Sequence, residues 1–285
     1  MKRHIYLFVV GVLSVFVLFV LFPHLAAQDK LTSEVFGAIW NQDESQILSW
    51  SVDGTLRIWD GTTGKLVYTL QHDAAVNGAV WSNDYSRILS WSADNTARVW
   101  EPATGELLLT LQHDDVVNGA AWSNDYSRIL TWSEDNAARV WEATTGKLMF
   151  TLQHDAAVQE ARWNKDDGRI LSRSNSGVYE CIDQHRCLNK IWIWDAASGA
   201  NLLTIDSLQD FVGGVIWNSD ETKLLSWVAD GWINVWDART GDRLLNMRSV
   251  GALTAPSGTL MRLAFSRGVV QGSSVRRTVL MPFWF

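Results

Sequence analysis

The feature that most constrains the fold of this chain is a 41-residue repeat marked by tryptophan. The same residue types return at intervals of 41 in four columns: Trp40, Trp81, Trp122 and Trp163; Trp59, Trp100 and Trp141; Trp50, Trp91 and Trp132; and His72, His113 and His154. The interval widens to 53 between Trp141 and Trp194, and a fifth unit contains Trp217, Trp227 and Trp236. A unit of this length cannot bury its apolar surface alone, so the sequence predicts a stack of similar units.

Each unit is predicted to contain four short strands. In the second unit the apolar or alternating runs are Val76–Trp81, Arg87–Ser92, Ala97–Trp100 and Leu107–Leu111. Asn-Asp, Asp-Asn and Thr-Gly pairs separate these runs, and such pairs favour turns. The pattern predicts an all-β protein of five four-stranded antiparallel units, which cover about residues 31–72, 73–113, 114–154, 155–206 and 207–248.

The spacing, together with the pairs Trp59-Asp60, Trp194-Asp195 and Trp236-Asp237, resembles the WD40-repeat β-propeller family in an exported, bacterial-type version. The resemblance covers about residues 31–248. It implies a propeller of four-stranded antiparallel blades. The family usually has seven blades and five are recognisable here, so an incomplete propeller is one interpretation.

The resemblance also implies a buried tetrad of His, Ser or Thr, Asp and Trp in each blade. The two complete sets are His72, Ser90, Asp94 and Trp100, and then His113, Thr131, Asp135 and Trp141. Leu31 and Leu208 stand at the His position of the first and fifth units, and the fourth unit, with His154, loses its Asp to the insertion. We interpret the tetrads as structural, because equivalent His residues on different blades lie too far apart to share a metal, and recurring buried sets do not form a hydrolytic cleft.

The column Trp50, Trp91, Trp132 and Trp227 is expected on the strand face opposite the tetrad serine, because side chains alternate along a strand. We predict that these indoles pack between blades, with the stacking of a ligand such as a sugar as the alternative.

A partner surface is predicted on the face that WD40 propellers usually present, which carries the loops entering each first strand. Asn77, Asn118, Glu134 and Gln159 are its polar candidates, among small neighbours such as Ala75. The set lacks the aromatic and arginine anchors of strong hot spots, so it predicts modest affinity or multivalent contact.

The insertion in the fourth unit supplies the remaining candidates. Tyr179, His185 and Arg186 are predicted to contact a partner, because loops on a rigid scaffold often carry recognition. The alternative is an insertion without a binding role. Cys181 and Cys187 are predicted to form a disulfide, as expected in an exported protein.

The N-terminal segment predicts that compartment. Lys2 and Arg3 precede an apolar run from Ile5 to Phe22, and small residues end at Ala27. Residues 1–27 are therefore predicted to be a secretory signal peptide or an N-terminal membrane anchor, which places the rest of the chain in the periplasm or outside the cell.

Charge separates the repeats from the C-terminal tail. Residues 28–248 hold all 31 acids and carry a net charge of −13, which argues against nucleic acid as a partner. Residues 249–285 contain four arginines and no acid, and they lack the repeat pattern. Three explanations account for the missing blades: the tail is a degenerate sixth blade, the propeller closes against another chain, or, as we favour, the tail is a frame-shifted or truncated end.

The sequence thus predicts a non-catalytic protein-interaction scaffold with no catalytic, cofactor-binding or metal-binding residues. Its partner is expected to be a protein, with membrane contact only through the N-terminal segment and self-association if the propeller is open. The alternative is a ligand-binding or enzymatic propeller that uses the central funnel.

Overall fold

The computed structural model describes residues 34–175, 189–206, 212–228 and 231–248. These residues form five four-stranded antiparallel sheets, so the predicted fold class is confirmed. In chain order the strands are β1 (Val35–Trp40), β2 (Gln46–Ser51), β3 (Thr55–Asp60), β4 (Leu66–Gln71), β5 (Val76–Trp81), β6 (Ile88–Ser92), β7 (Thr96–Glu101), β8 (Glu106–Gln112), β9 (Val117–Trp122), β10 (Arg128–Ser133), β11 (Ala137–Glu142), β12 (Leu148–Gln153), β13 (Val158–Trp163), β14 (Arg169–Ser174), β15 (Lys190–Asp195), β16 (Asn201–Ile205), β17 (Val212–Trp217), β18 (Lys223–Val228), β19 (Trp232–Asp237) and β20 (Arg243–Arg248).

Every sheet is a meander of four consecutive strands, and we number the sheets 1 to 5 along the chain. In sheet 2 a carboxylate stabilises the turn between the first two strands, β5 and β6. Asp84 accepts hydrogen bonds from the Ser82 hydroxyl at 2.6 Å and the Ser86 N–H at 3.1 Å. Tyr85 follows it with a φ of 57°, and Glu44, Tyr126, Asp167 and Glu221 have the same left-handed conformation in the other sheets. These turns lie at one end of the strands. The turns between second and third strands and the connections between sheets lie at the other end of the strands, and we call that side of the molecule the loop edge.

The hydrophobic core lies between consecutive sheets. One such cluster joins sheets 2 and 3, and its buried members are Leu89, Ala97, Val99, Leu111, Val117, Ala120, Ile129, Trp141 and Ala143. Equivalent clusters join sheets 1 and 2, sheets 3 and 4, and sheets 4 and 5. Among the described residues, sheet 5 does not pack against sheet 1, so the five sheets form an open stack.

Trp50, Trp91 and Trp132 of the second tryptophan column pack between sheets, as their alternation predicts, whereas Trp227 belongs to sheet 5, which no further described sheet follows. Trp91 lies against the cluster that joins sheets 2 and 3, and its ring covers Gly78 on the neighbouring strand of its own sheet. A Cβ atom on Gly78 would lie 2.2 Å from the ring, so glycine is required there. The pairs Gly37–Trp50, Gly119–Trp132 and Gly214–Trp227 repeat this arrangement.

The remaining sequence predictions fall largely outside the described residues. The predicted signal peptide or anchor, residues 1–27, lies outside the described residues. Within the described ranges, no helix is long and apolar enough to cross a membrane. The tail belongs to a separate unit, Val250–Phe285, whose structure is not described.

Candidate functional site

The structure brings the first predicted tetrad together as one hydrogen-bonded chain. The Trp100 indole N–H donates to the Ser90 Oγ at 2.9 Å, and the same hydroxyl lies 2.8 Å from His72 Nε2. His72 Nδ1 lies 2.8 Å from Asp94 Oδ2. A neutral His72 with its proton on Nδ1 satisfies every partner, because Nε2 then accepts from serine and Nδ1 donates to the carboxylate.

The second tetrad has the same geometry. The Trp141 indole donates to Thr131 Oγ1 at 2.8 Å, His113 Nε2 lies 2.7 Å from that hydroxyl, and His113 Nδ1 lies 2.9 Å from Asp135 Oδ2. Burial lowers the pKa of both tetrad histidines below its ordinary value, which keeps the rings neutral.

The tetrad carboxylates are ionised in spite of their burial. Burial raises the pKa of Asp94, but hydrogen bonds from His72, the Thr96 hydroxyl and the Asp73 N–H outweigh it and hold the pKa well below 3.8. Asp135 is held low in the same way. Each carboxylate is therefore a fixed acceptor that ties a strand connection to the sheet interior.

Two arginines complete these networks, and the sequence reasoning missed them. Arg98 Nη2 lies 3.2 Å from Asp94 Oδ2 and 2.7 Å from Asp73 Oδ2, while its Nη1 donates to the Gln71 carbonyl at 2.6 Å. Arg139 contacts Asp135 and Asp114 in the second set. The signal was present in the sequence, since both arginines precede the tetrad tryptophan by two residues.

The fourth sheet satisfies its histidine without an aspartate. His154 Nε2 lies 2.7 Å from the Ser172 hydroxyl, and its Nδ1 donates to the Leu152 carbonyl at 2.9 Å. Trp192 occupies the position that Arg98 has in sheet 2, and it stacks on Trp194 with ring centroids 5.3 Å apart. An indole thus replaces a guanidinium where the carboxylate is missing, which accounts for a tryptophan outside the repeat columns.

Acid is expected to destabilise the protein through His154. Burial lowers its pKa from 6.5 to about 4, so in that pH range the unfolded chain binds a proton that the native state does not. The free energy of unfolding is therefore lost as pH falls from 6.5 to 4, with about 3 kcal/mol from this one residue. Urea unfolding at pH 6.5 and at pH 4 gives the change in the free energy of unfolding with pH for the wild type and for His154→Asn. An equal change in the two proteins would contradict the prediction.

The first and fifth sheets keep part of the tetrad. The Trp59 indole donates to Ser49 Oγ at 2.8 Å, and the Trp236 indole donates to Ser226 Oγ at 2.8 Å. Leu31, Leu208 and Asp230 lie outside the described residues. In sheets 2 to 5 these networks are buried between sheets, whereas Trp59 lies on the uncovered face of sheet 1 and is partly exposed. The hydroxyl and imidazole groups are buried in every case, so a substrate cannot reach them. No three His, Cys, Asp or Glu side chains in the described part of the chain are grouped to hold a metal ion.

The polar partner candidates meet at the loop edge. The Asn118 amide donates to Glu134 Oε1 at 2.6 Å and to the Val158 carbonyl of sheet 4 at 3.0 Å. The Gln159 amide, also from sheet 4, reaches Glu134 Oε1 at 3.3 Å. Asn77 makes the equivalent bond to the carbonyl of Val117 at 3.1 Å. Glu134 and Asn77 are exposed, so these hydrogen bonds fix a polar surface that faces solvent.

An ion pair in sheet 4 replaces the Gly–Trp pair of the other sheets. Glu160 and Arg173 are cross-strand neighbours at the register that Gly119 and Trp132 occupy in sheet 3. Arg173 Nε lies 3.0 Å from Glu160 Oε2, and its Nη1 donates to the Val212 carbonyl of sheet 5 at 2.6 Å. Burial lowers the pKa of Arg173 to about 10, and the guanidinium remains charged at neutral pH.

Sequence reasoning also missed this pair. Its signal is that both columns change together, since residue 160 follows Gly119 by 41 and residue 173 follows Trp132 by 41. Arg162 contacts the second oxygen of Glu160, so sheet 4 concentrates charge where its neighbours have an apolar ring.

A groove of about 370 Å³ lies at the edge opposite the loop edge, where sheets 4 and 5 meet. Arg162, Trp163, Lys165, Trp217 and Glu221 contribute to its lining. Its lining combines charged and aromatic side chains. Tyr179, His185 and Arg186 lie outside the described residues, as do Cys181 and Cys187.

Comparison with known proteins identifies the repeats. Residues 23–60, 64–101 and 105–142 match the family model described as WD domain, G-beta repeat. Each of the last two segments begins at the turn before the outer strand of one sheet and ends with the third strand of the next. The chain therefore carries WD40 repeats, and each of these two segments links two neighbouring sheets.

The fold also matches a solved structure. A chain of the Crystal Structure of Mitotic Checkpoint Complex superposes with a TM-score of 0.62 at 22% identity, over 78% of this chain and 67% of that chain. At this identity the match shows the fold alone. A search of curated proteins found no match.

Proposed function

We propose that this chain is an exported, non-catalytic scaffold that binds a protein partner at the loop edge of its WD40 sheets. The observation that carries the proposal is the polar cluster around Glu134, which Asn118 and Gln159 hold from two different sheets. Because these side chains extend from strands and tight turns, they are positioned before a partner arrives.

Two further features support the proposal. The tetrad hydroxyls and imidazoles are buried and fully engaged in hydrogen bonds, so the groups with nucleophilic chemistry serve the fold. The N-terminal basic residues and apolar run support export, as expected for a signal peptide or anchor.

One experiment tests both the export and the surface. Intact cells that produce the tagged full chain are treated with a cross-linker that does not pass the cytoplasmic membrane. We expect a protein partner to be captured by the wild type and by the control Lys147→Glu, whose exposed side chain lies at the opposite edge. Glu134→Lys reverses a charge at the cluster, and we expect it to reduce capture about tenfold.

Each failure has a distinct meaning. A chain that the reagent does not label contradicts export, and equal capture by the three forms contradicts the loop edge. A small molecule found by native mass spectrometry, without any protein partner, would favour the ligand-binding alternative in the groove beside Trp163 and Trp217.

A further inference from the structure

Sheet 1 exposes the face that every other sheet buries against the sheet before it. Val35 and Val76 occupy the same position in the repeat, yet Val35 is 38% exposed and Val76 is 0% exposed. Trp40 is 51% exposed, whereas its equivalent Trp81 is 9% exposed. The difference reflects position in the stack, because the side chains themselves are identical.

Sheet 5 exposes the opposite face, which the other sheets bury against the sheet that follows. Met247 is 43% exposed, and its equivalent Leu111 in sheet 2 is 0% exposed. Leu225 and Val235 are partly exposed on the same face, where Leu89 and Val99 are fully buried in sheet 2.

These two exposed faces are the two halves of one interface that the chain already forms four times. At each internal junction a side of one sheet that is rich in Leu, Ile and Val packs against the side of the next sheet that carries Val, Trp and an Ile or Leu. Sheet 5 presents the first half with Leu225, Val235 and Met247. Sheet 1 presents the second half with Val35 and with Ile47 and Trp59, which are partly exposed.

Charge at the edge opposite the loop edge is complementary as well. At the junction of sheets 4 and 5, Glu221 accepts a hydrogen bond from the Asn164 amide at 2.7 Å and lies 3.5 Å from Arg169 Nη2. Glu44 has the position and the left-handed φ of Glu221 in sheet 1, and it is exposed. Lys223 has the position of Arg169 in sheet 5 and is also exposed.

We propose that two copies of this chain associate head to tail, with sheet 5 of one copy packed on sheet 1 of the next. The contact reproduces the internal junctions, with Met247 against the Val35 face and Lys223 beside Glu44. Because the two halves differ, the interface is heterologous and each bound copy leaves one half available for another. The proposal is independent of the scaffold function, since it uses the sheet faces and leaves the loop edge exposed.

Two variants at exposed positions test it on the full chain, in one neutral-detergent buffer, by size exclusion with light scattering. Val35→Lys blocks the sheet 1 half, and Met247→Lys blocks the sheet 5 half. The wild type is expected to grow in mass with concentration, and each variant alone is expected to stay monomeric. A mixture of the two variants restores one intact pair of faces, so it is expected to give a 1:1 dimer that grows no further.

Circular dichroism of both variants is the control that separates a folded monomer from an unfolded one. A wild type that remains monomeric overturns the proposal and indicates that another part of the same chain covers the faces. A dimer in a sample that contains only one of the variants overturns the proposal too, because that result indicates a symmetric contact of two identical faces.

A charge swap checks the register. Glu44→Lys is expected to weaken association about tenfold, and mixing it with Lys223→Glu is expected to restore most of that loss. Failure of the swapped pair to recover would contradict the placement of Lys223 beside Glu44.

Discussion

Replacing Trp100 with alanine is expected to lower the free energy of unfolding by about 4 kcal/mol, which is a large part of the stability of an ordinary domain. The indole is 4% exposed, fills the junction between sheets 1 and 2 and donates the hydrogen bond that begins the tetrad. Its loss leaves a cavity and removes one partner of the Ser90 hydroxyl. Urea unfolding followed by far-ultraviolet circular dichroism measures the change.

Trp59→Ala is the matched control for this substitution. Trp59 donates the same bond to Ser49, but it lies on the exposed face of sheet 1 and is only partly buried. We expect about half the cost at this position, since less apolar area leaves water there. Trp100→Phe separates the two contributions, because it retains most of the ring and is expected to lose about 1 kcal/mol for the hydrogen bond. Equal losses for Trp59→Ala and Trp100→Ala would contradict the burial argument.

Gly119→Ala is expected to cost about 3 kcal/mol although it adds a single methyl group. The new Cβ would lie 2.1 Å from the Trp132 ring, which is confined between the strand below it and sheet 4. Gly168→Ala is the control, since Gly168 lies in an exposed turn where the nearest atom belongs to the side chain of Asp166. We expect that control to change stability by less than about 0.5 kcal/mol.

A double variant tests the cause of the Gly119 effect. If the cost comes from the clash with the indole, Trp132→Leu removes the clash, and the two substitutions together are expected to cost about 2 kcal/mol less than the sum of their separate effects. Urea unfolding followed by far-ultraviolet circular dichroism measures the free energy of unfolding of the single variants, the double variant and the Gly168→Ala control. Additive costs would show that Gly119 is needed for a different reason.

Much of the fold could be predicted from the sequence because its signals are local and repeated. Alternation along Val76–Trp81 and the turn pairs around Asp84 specify strands and turns without reference to distant residues. The regular columns then show which positions are equivalent, so one unit could be extended to the next.

The remaining features depend on neighbours that the local sequence does not specify. Val35 and Val76 are the same residue at the same repeat position, and only the presence of a preceding sheet makes one of them buried. Trp192 is likewise explained by a missing partner. In sheet 2 the equivalent Arg98 binds Asp94, whereas in sheet 4 Trp192 stacks on Trp194. The repeat pattern identifies such positions as exceptions, but the new contact is visible only in three dimensions.

The Glu160–Arg173 pair has a consequence for folding, because adjacent repeats of nearly identical sequence can exchange strands and form stable errors. If β10 paired with β13, Trp132 would lie against Glu160, and a partly buried carboxylate would lose one of its two arginine partners. If β14 paired with β9, Arg173 would lie over Gly119 without an acid. The fourth unit thus distinguishes its own strands from those of its neighbours, and chains that have exchanged strands there are penalised relative to correctly paired ones.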